Sequence, residues 1–265
     1  MRETMAADGT DRTDNIPTNM RLLIMLEEIA RAGVPITPTE VNTILKLPKP
    51  TIHRLFSTLD AEGFLQRDLD GRSYSPGLRL RRLSSNVLSS LRIRTARLAV
   101  LNALAEEIGE TCNIATPDRD AMTYLDRVET KWPLRIQLPV GTAVPFYCTA
   151  SGKLYLSTLT PTHLDRYLSS ATLTAQTEKT VTDPTALRDE ITSIRKNGYS
   201  TDDEEFMASM AAIAVPILDD QNRLLSTLSV HAPVQRISLQ DLRAFVPRLH
   251  DAATELAQLL LSDQL

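Results

Sequence analysis

The tightest constraint in this sequence lies between residues 37 and 76, where two short helical stripes and a hairpin turn follow one another with almost no spare chain. Thr37-Pro38-Thr39-Glu40 is a capping box with proline at the first helical position, so a helix starts there and runs to about Leu45. Leu47-Pro48 breaks it, and Pro50 opens a second helix that ends near Gly63. Ile52, Leu55, Phe56 and Leu59 recur at the spacing of one buried stripe. Arg54 and Ser57 point away from that stripe, Thr51 and His53 flank it, and Lys49 stands at its start. Phe64 to Asp68 and Arg72 to Tyr74 then read as short strands around Leu69-Asp70-Gly71, because Asp-Gly favours the positive φ of a hairpin turn. An earlier helix, Met20 to Ala32, is closed by Gly33. Two helices across a tight turn, the second with a polar and basic outer face and a hairpin behind it, make a winged helix-turn-helix.

That geometry implies a chemistry. Lys49, Thr51, His53, Arg54 and Ser57 would face base edges, and Arg67 and Arg72 would flank the wing where phosphates lie. The bland alternative is a three-helix packing module with a solvated basic face. Charge favours the first reading. Residues 20–95 carry 12 Lys and Arg against 7 Asp and Glu, whereas residues 96–265 carry 15 against 22. The small N-terminal part is thus built to meet a polyanion, double-stranded DNA, and the rest is not.

At 265 residues and 42% hydrophobic, the chain can bury two domain cores. Cys112 and Cys148 make no disulfide framework and no metal clip. Residues 1–19 are polar, lack the apolar stretch of a signal peptide and are expected to be a disordered tail. No apolar run is long enough to span a membrane. These features together imply a cytoplasmic protein. Past Pro76-Gly77, Leu78 to about Ile108 reads as a linker helix, continuous or broken, that joins the domains and helps pair two subunits, with Leu80, Leu83, Val87, Leu88 and Leu91 as its stripe. Its Arg79, Arg81, Arg82, Arg92, Arg94 and Arg97 either stand in solvent or meet phosphate.

From Thr111 the period changes. Thr111 to Thr116, Ala121 to Val128 and Leu134 to Leu138 read as strands, and Ala211 to Leu218 with Leu224 to His231 as a hairpin. Helices are expected over Cys148 to Leu159, from Thr160-Pro161 to near Leu168, from Asp183-Pro184 to Asn197-Gly198, and from Ser238 to Leu261. The mixture is an α+β domain on an antiparallel sheet.

Several stretches, in this order, resemble the isocitrate-lyase-regulator (IclR) family of bacterial transcription factors. They are Leu47-Pro48-Lys49-Pro50-Thr51-Ile52-His53-Arg54-Leu55 with Leu59 and Gly63-Phe64, then Gly109-Glu110-Thr111 and Thr149-Ala150-Ser151-Gly152-Lys153. Ile194 to Tyr199, Asp202 to Glu205 and Ile213 to Ile217 complete the set. The resemblance implies a winged helix over residues 20–77, a linker over 78–96 and a GAF-like effector domain over 97–265, working as a homodimer or homotetramer. It also implies that a small organic acid, aromatic acids included, modulates operator binding. Pro50 replaces a serine common in the family, and Ser209 and Ala212 stand where relatives often have Gly and Cys.

Small carboxylates bind at helix N-termini, where unpaired backbone N–H groups and the dipole favour negative charge. By resemblance, Ala150, Ser151 and Gly152 form the loop that holds the effector's carboxylate, and Asp202, Met210, Ala212, Ser229 and His231 complete the pocket. Ser229 and His231 alternate onto one sheet face; the other reading is an ordinary strand serine and a satisfied histidine. Two alternatives differ in kind. A metal site from Cys148, His163, the acidic run and His231 lacks close ligand spacing, and that run reads as a solvated loop. A metabolite-processing enzyme with an accessory winged-helix module needs a phosphate loop or a nucleophile elbow, and neither pattern is present. No cofactor is expected.

Overall fold

Among the described residues, five helices begin at a threonine, serine or aspartate whose side chain caps them: Thr37, Thr149, Thr160, Asp183 and Ser238. The computed structural model describes Pro17 and residues 20–68, 70–88 and 91–261. It divides into two compact units, Met1–Leu88 and Ser89–Leu265. The first contains α1 (Met20–Ala32), α2 (Pro38–Leu45), α3 (Lys49–Ala61), the hairpin β1 (Leu65–Arg67) and β2 (Tyr74–Pro76), and α4 (Leu78–Leu88). The capping box of α2 forms as expected: Glu40 N donates to Thr37 Oγ1 at 3.3 Å and Thr37 N to Glu40 Oε2 at 2.8 Å. Met25, Ile29, Val41, Leu45, Ile52, Phe56 and Leu59 close into one core with Leu65 and Tyr74. Tyr74 ties the wing to that core, because its ring meets Phe56 edge-on at 5.0 Å and its backbone bridges Ile36. Asp70 shapes the turn: its Oδ1 accepts from the N–H groups of Arg72 and Ser73, each at 2.8 Å, and Gly71 takes a φ of 66°. Leu69 and the expected tail, Pro17 apart, lie outside the described residues.

The second unit opens with α5 (Leu91–Ile108) and continues through β3 (Thr111–Asp118), β4 (Ala121–Val128), β5 (Ala143–Pro145), α6 (Ala150–Thr158), α7 (Pro161–Ser170) and α8 (Pro184–Asn197). Then follow β6 (Ser200–Asp203), β7 (Met210–Leu218), β8 (Leu224–Pro233), α9 (Leu239–Arg243) and α10 (Val246–Leu261). The strands form one antiparallel sheet in the order β5-β4-β3-β8-β7-β6. One face packs Cys112, Ile114, Ile213, Val215, Leu228 and Val230 against α5 and α10. The other packs Ala115, Met122, Tyr124, Ala212 and Ala214 beneath α6 and α8. A register shift between Ile114 and Ala115 matters for the site. It pairs Ala115 with Tyr124 but Ile114 with Asp126, so Leu125 is the extra residue of a bulge. Tyr124 and Arg127, three apart, thereby share the α6 face, while Asp126 turns to α5.

The structure corrects five expectations. Leu134 to Leu138 is not a strand; the edge strand is β5 instead. Arginine side chains take the carbonyls a neighbouring strand would have paired: Arg135 bonds Trp132 O, Arg236 bonds Leu134 O and Arg127 bonds Ile136 O. The last helix is two helices, because Pro247 has no N–H to continue α9 and its ring clashes with the carbonyl four residues back. The acidic run is no solvated loop: Asp202 lies in β6, a strand absent from the sequence reading, and both Asp202 and Glu205 are buried. Arg97 neither stands in solvent nor is free for phosphate, since it is buried against Asp126. Finally, α6 starts at Ala150 rather than Cys148, with Thr149 as its cap.

Candidate functional site

On α3 the buried stripe fixes the exposed face. Lys49, His53, Arg54 and Ser57 are exposed and Thr51 is half-buried. The side chains of Lys49, His53, Arg54 and Arg72 make no hydrogen bond or ion pair among the described residues, which leaves them available to a polyanion. Arg67 is held differently. Its guanidinium sits 5.2 Å from the Tyr74 ring centre and 3.8 Å from Asp60 Oδ2. A shallow hollow joins the pieces, lined by Thr37 to Thr39 at the start of α2, His53 and Ser57 of α3, and Arg67, Gly71, Arg72 and Tyr74 of the wing. Four expected residues thus share one concave surface; Lys49, Thr51 and Arg54 lie outside its lining. Arg79 was read among the linker arginines, but it pairs with Glu62 at 2.9 Å and stacks over Phe64 at 4.6 Å.

In the second unit the registers align two polar rows across the sheet, both on the α6 side. One runs Arg127, Asn113, Ser229, Ala214, Ser200; the other runs Thr111, His231, Ala212, Asp202. Each row has an alanine at its β7 position, so the polar side chains stand around a low centre. Met210 is on the same side by alternation. Helix α6 packs across β6, β7 and β8 above these rows. Its first turn is buried: Ala150, Ser151 and Gly152 are closed to solvent. Thr149 Oγ1 accepts from Gly152 N at 3.1 Å, and the N–H groups of Ala150 and Ser151 fall outside the helix's own bonding pattern. Ser151 is 3% exposed and its hydroxyl has no partner among the described residues.

Gly152 has another role than the one expected of it. A Cβ there would lie 2.4 Å from Cα and O of Phe146, so the glycine lets α6 seat against its own chain. Beneath α6 the fully buried Lys153 ammonium is paired with Glu190 and Glu205. Ser229 Oγ lies 3.1 Å from His231 Nε2, and Tyr124 meets the His231 ring edge-on at 6.2 Å. Burial, helped by the charge of Arg127, pulls His231 down to about 3, which keeps its ring neutral. Burial and the neighbouring Glu205 carboxylate push Asp202 up to about 7. Its Oδ1 accepts from the N–H groups of Glu205 at 2.7 Å and Phe206 at 3.3 Å. Cys148, beside the cap, is pushed up to about 12 by burial, so the thiol stays protonated. Among the described residues no three His, Cys, Asp or Glu side chains are grouped to hold a metal ion. Sequence reasoning missed Asn113, Tyr124, Arg127 and Glu205; the bulge that brings Tyr124 and Arg127 together left no mark in the strand alternation.

Known proteins carry both units. The model described as "IclR helix-turn-helix domain" matches residues 20–69, and "Bacterial transcriptional regulator IclR C-terminal" matches residues 85–258. The chain belongs to the IclR family. A Cupriavidus necator relative, "Probable transcriptional regulator SauR", is 36% identical over 239 residues, covering 90% of this chain and 95% of the relative. The crystal structure of Thermotoga maritima IclR superposes with a TM-score of 0.60 at 26% identity, covering 91% of this chain and 97% of that one. An IclR homologue from Microbacterium hydrocarbonoxydans, crystallised in complex with 4-hydroxybenzoate, shares the fold at a TM-score of 0.59 and 23% identity, covering 90% and 98%. As an IclR-family regulator, this chain pairs a DNA-binding helix-turn-helix with a ligand-binding C-terminal domain, the architecture expected from its sequence. No described helix is long and apolar enough to cross a membrane.

Proposed function

We propose that α3 and the β1–β2 wing read operator DNA, and that the polar rows beneath α6 hold a small organic acid that changes operator affinity. The carrying observation is the buried, unpartnered hydroxyl of Ser151 at the start of α6. Buried polar groups are rarely left unpaired, and a helix start with free N–H groups favours a carboxylate. Ala150 and Ser151 would receive that carboxylate, with Asp202, Met210, Ala212, Ser229 and His231 around the rest of the molecule. An Asp202 carboxyl close to 7 is neutral often enough to donate a hydrogen bond to an acid instead of repelling it. The complex of 4-hydroxybenzoate with the Microbacterium homologue supports an acid as the class of ligand.

In this reading α3 supplies base contacts through Arg54, with Lys49, Thr51, His53 and Ser57 around it, and Arg67 and Arg72 supply phosphate contacts. The protein is a cytoplasmic homodimer or homotetramer, joined through a linker over residues 78–96 between domains over 20–77 and 97–265. In this reading it binds its ligand without transforming it, as a transcriptional regulator does. The test is operator binding followed by fluorescence anisotropy against a panel of small acids. Ser151→Asp places like charge against the carboxylate and should abolish the response while leaving operator binding intact. A variant that still responds would place the acid elsewhere.

A further inference from the structure

Only part of the exposed α3 face belongs to the hollow between α2, α3 and the wing. His53 and Ser57, one helical turn apart, line it, whereas Arg54, about 100° further round the helix, is exposed outside it. The hollow measures about 400 Å³, and Arg67 and Arg72 line it from the wing. Among the described residues no carboxylate lines it. The nearby acids are already engaged: Glu40 accepts from Thr37, Asp60 lies 3.8 Å from Arg67, and Asp70 accepts from the N–H groups of Arg72 and Ser73. The His53 ring, the Ser57 hydroxyl and the Arg72 guanidinium make no hydrogen bond or ion pair among the described residues. The result is a concave surface with unused donors on two walls and no negative charge between them.

Shape decides what such a surface can meet. On duplex DNA the base edges lie at the floor of a major groove about 8.5 Å deep, reached by a side chain that projects, while the sugar-phosphate strands stand up as ridges. A hollow fits a ridge. We propose that this hollow seats one phosphodiester of the operator backbone, so that His53 and Ser57 contact phosphate together with Arg72 and leave base reading to residues outside the hollow, Arg54 foremost. The proposal rests on the reading that α3 and the wing bind DNA, and it divides the α3 residues between two jobs. A phosphate oxygen accepts from a hydroxyl, an imidazole N–H or a guanidinium alike, so donors of three kinds can serve one group.

The experiment uses the full-length protein, a duplex that it selects from a random pool, and a scrambled duplex of the same composition. Each phosphate of the selected duplex is replaced in turn by an uncharged methylphosphonate. One linkage per half-site should cost wild type about tenfold, the loss of one charge-assisted hydrogen bond. The same linkage should cost His53→Ala and Ser57→Ala much less, because its partner has already gone. Both positions are exposed on a helix, so alanine keeps the fold. Both variants should weaken the selected and scrambled duplexes by the same factor, whereas Arg54→Ala should narrow the ratio between them. Ser57→Ala removes no charge and should leave the slope of log affinity against log salt unchanged. His53→Gln keeps a donor and should recover most of the His53→Ala loss. A changed selected sequence in either alanine variant, or a methylphosphonate penalty that stays whole in both, overturns the proposal while the DNA reading stands. Failure of wild type to select any duplex overturns both.

Discussion

Arg97 of α5 and Asp126 of β4 form an ion pair shut off from water: Nη2 lies 2.6 Å from Oδ2, and the two side chains are 1% and 0% exposed. Arg94 joins from the rim at 3.1 Å. The pair anchors α5 to the strand that carries Tyr124 and Arg127 on its other side, and the bulge at Leu125 makes that possible. Removing one partner strands the other charge in the interior, so Asp126→Ala should cost about 3–5 kcal/mol in urea unfolding. Replacing both, Arg97→Met with Asp126→Leu, should recover most of that loss. Equal losses in the single and double variants would mean that packing, not charge, holds α5 in place.

Asp202 and His231 pull the pH dependence of stability in opposite directions. With Asp202 raised to about 7, the folded protein keeps a proton that the unfolded chain has lost, so stability falls as pH rises from about 4 to 7. With His231 lowered to about 3, the unfolded chain binds a proton the folded one refuses, so stability falls as pH drops from about 6.5 towards 3. Between about 4 and 6.5 the two slopes offset one another. Asp202→Asn keeps an oxygen for the Glu205 and Phe206 N–H groups and removes only the first slope. Relative to wild type, its stability should climb by about 2 kcal/mol from pH 4.5 to 6.5. Chemical unfolding at a series of pH values reads this directly, and parallel profiles for the two proteins would contradict it.

The winged helix was legible because each of its parts is local. Thr37 to Glu40 is a cap, Ile52 to Leu59 a stripe and Asp70-Gly71 a turn, each complete within a few residues. The existence of α6 was legible too, but the sequence places its start two residues early, at Cys148, whereas Thr149 caps the helix by accepting from Gly152 N. The floor of the site was not legible. Asn113, Ser229 and Ser200 come together only through register across β3, β8, β7 and β6, and Arg127 only through a bulge. The burial of Glu205 depends on Lys153, fifty-two residues away in the chain. Strand alternation shows which side a residue faces, but not its neighbour in the next strand.

Two backbone positions should respond to opposite swaps. Ser209 is exposed and sits at a φ of 65°, a left-handed conformation that costs an L-residue roughly 1–2 kcal/mol. Its N–H bonds Glu204 Oε2 at 2.8 Å, a contact glycine would keep, so Ser209→Gly should stabilise by about 0.5–1 kcal/mol after the entropy of the unfolded glycine is counted. Gly152→Ala should do the reverse. Its methyl would press on the Phe146 backbone, and the shift of α6 should cost about 1–3 kcal/mol and weaken acid binding as well. Thermal melts with and without ligand separate the two effects. A Gly152→Ala protein with wild-type ligand response would show that α6 can move without disturbing the site.

Two arginines of the first unit should fail in distinguishable ways on DNA. Arg54 projects from α3, exposed and without a side-chain partner among the described residues, from the face a recognition helix turns to the major groove. Arginine there can bond both acceptors of a guanine edge, so Arg54→Ala should weaken the operator by about 1–3 kcal/mol and nonspecific DNA far less. Arg72 stands at the wing turn, where Asp70 fixes the backbone and leaves the side chain in solvent. A phosphate contact carries no sequence information, so Arg72→Ala should weaken every sequence alike and lower the slope of log affinity against log salt by about one per subunit. Arg67 should matter less to that slope, because Tyr74 and Asp60 already hold its charge. Salt titrations of operator and scrambled duplexes, run on all three variants, give each quantity. An Arg54→Ala protein that keeps its operator preference while its salt slope falls would place Arg54 on the backbone and move base reading to His53 or Ser57.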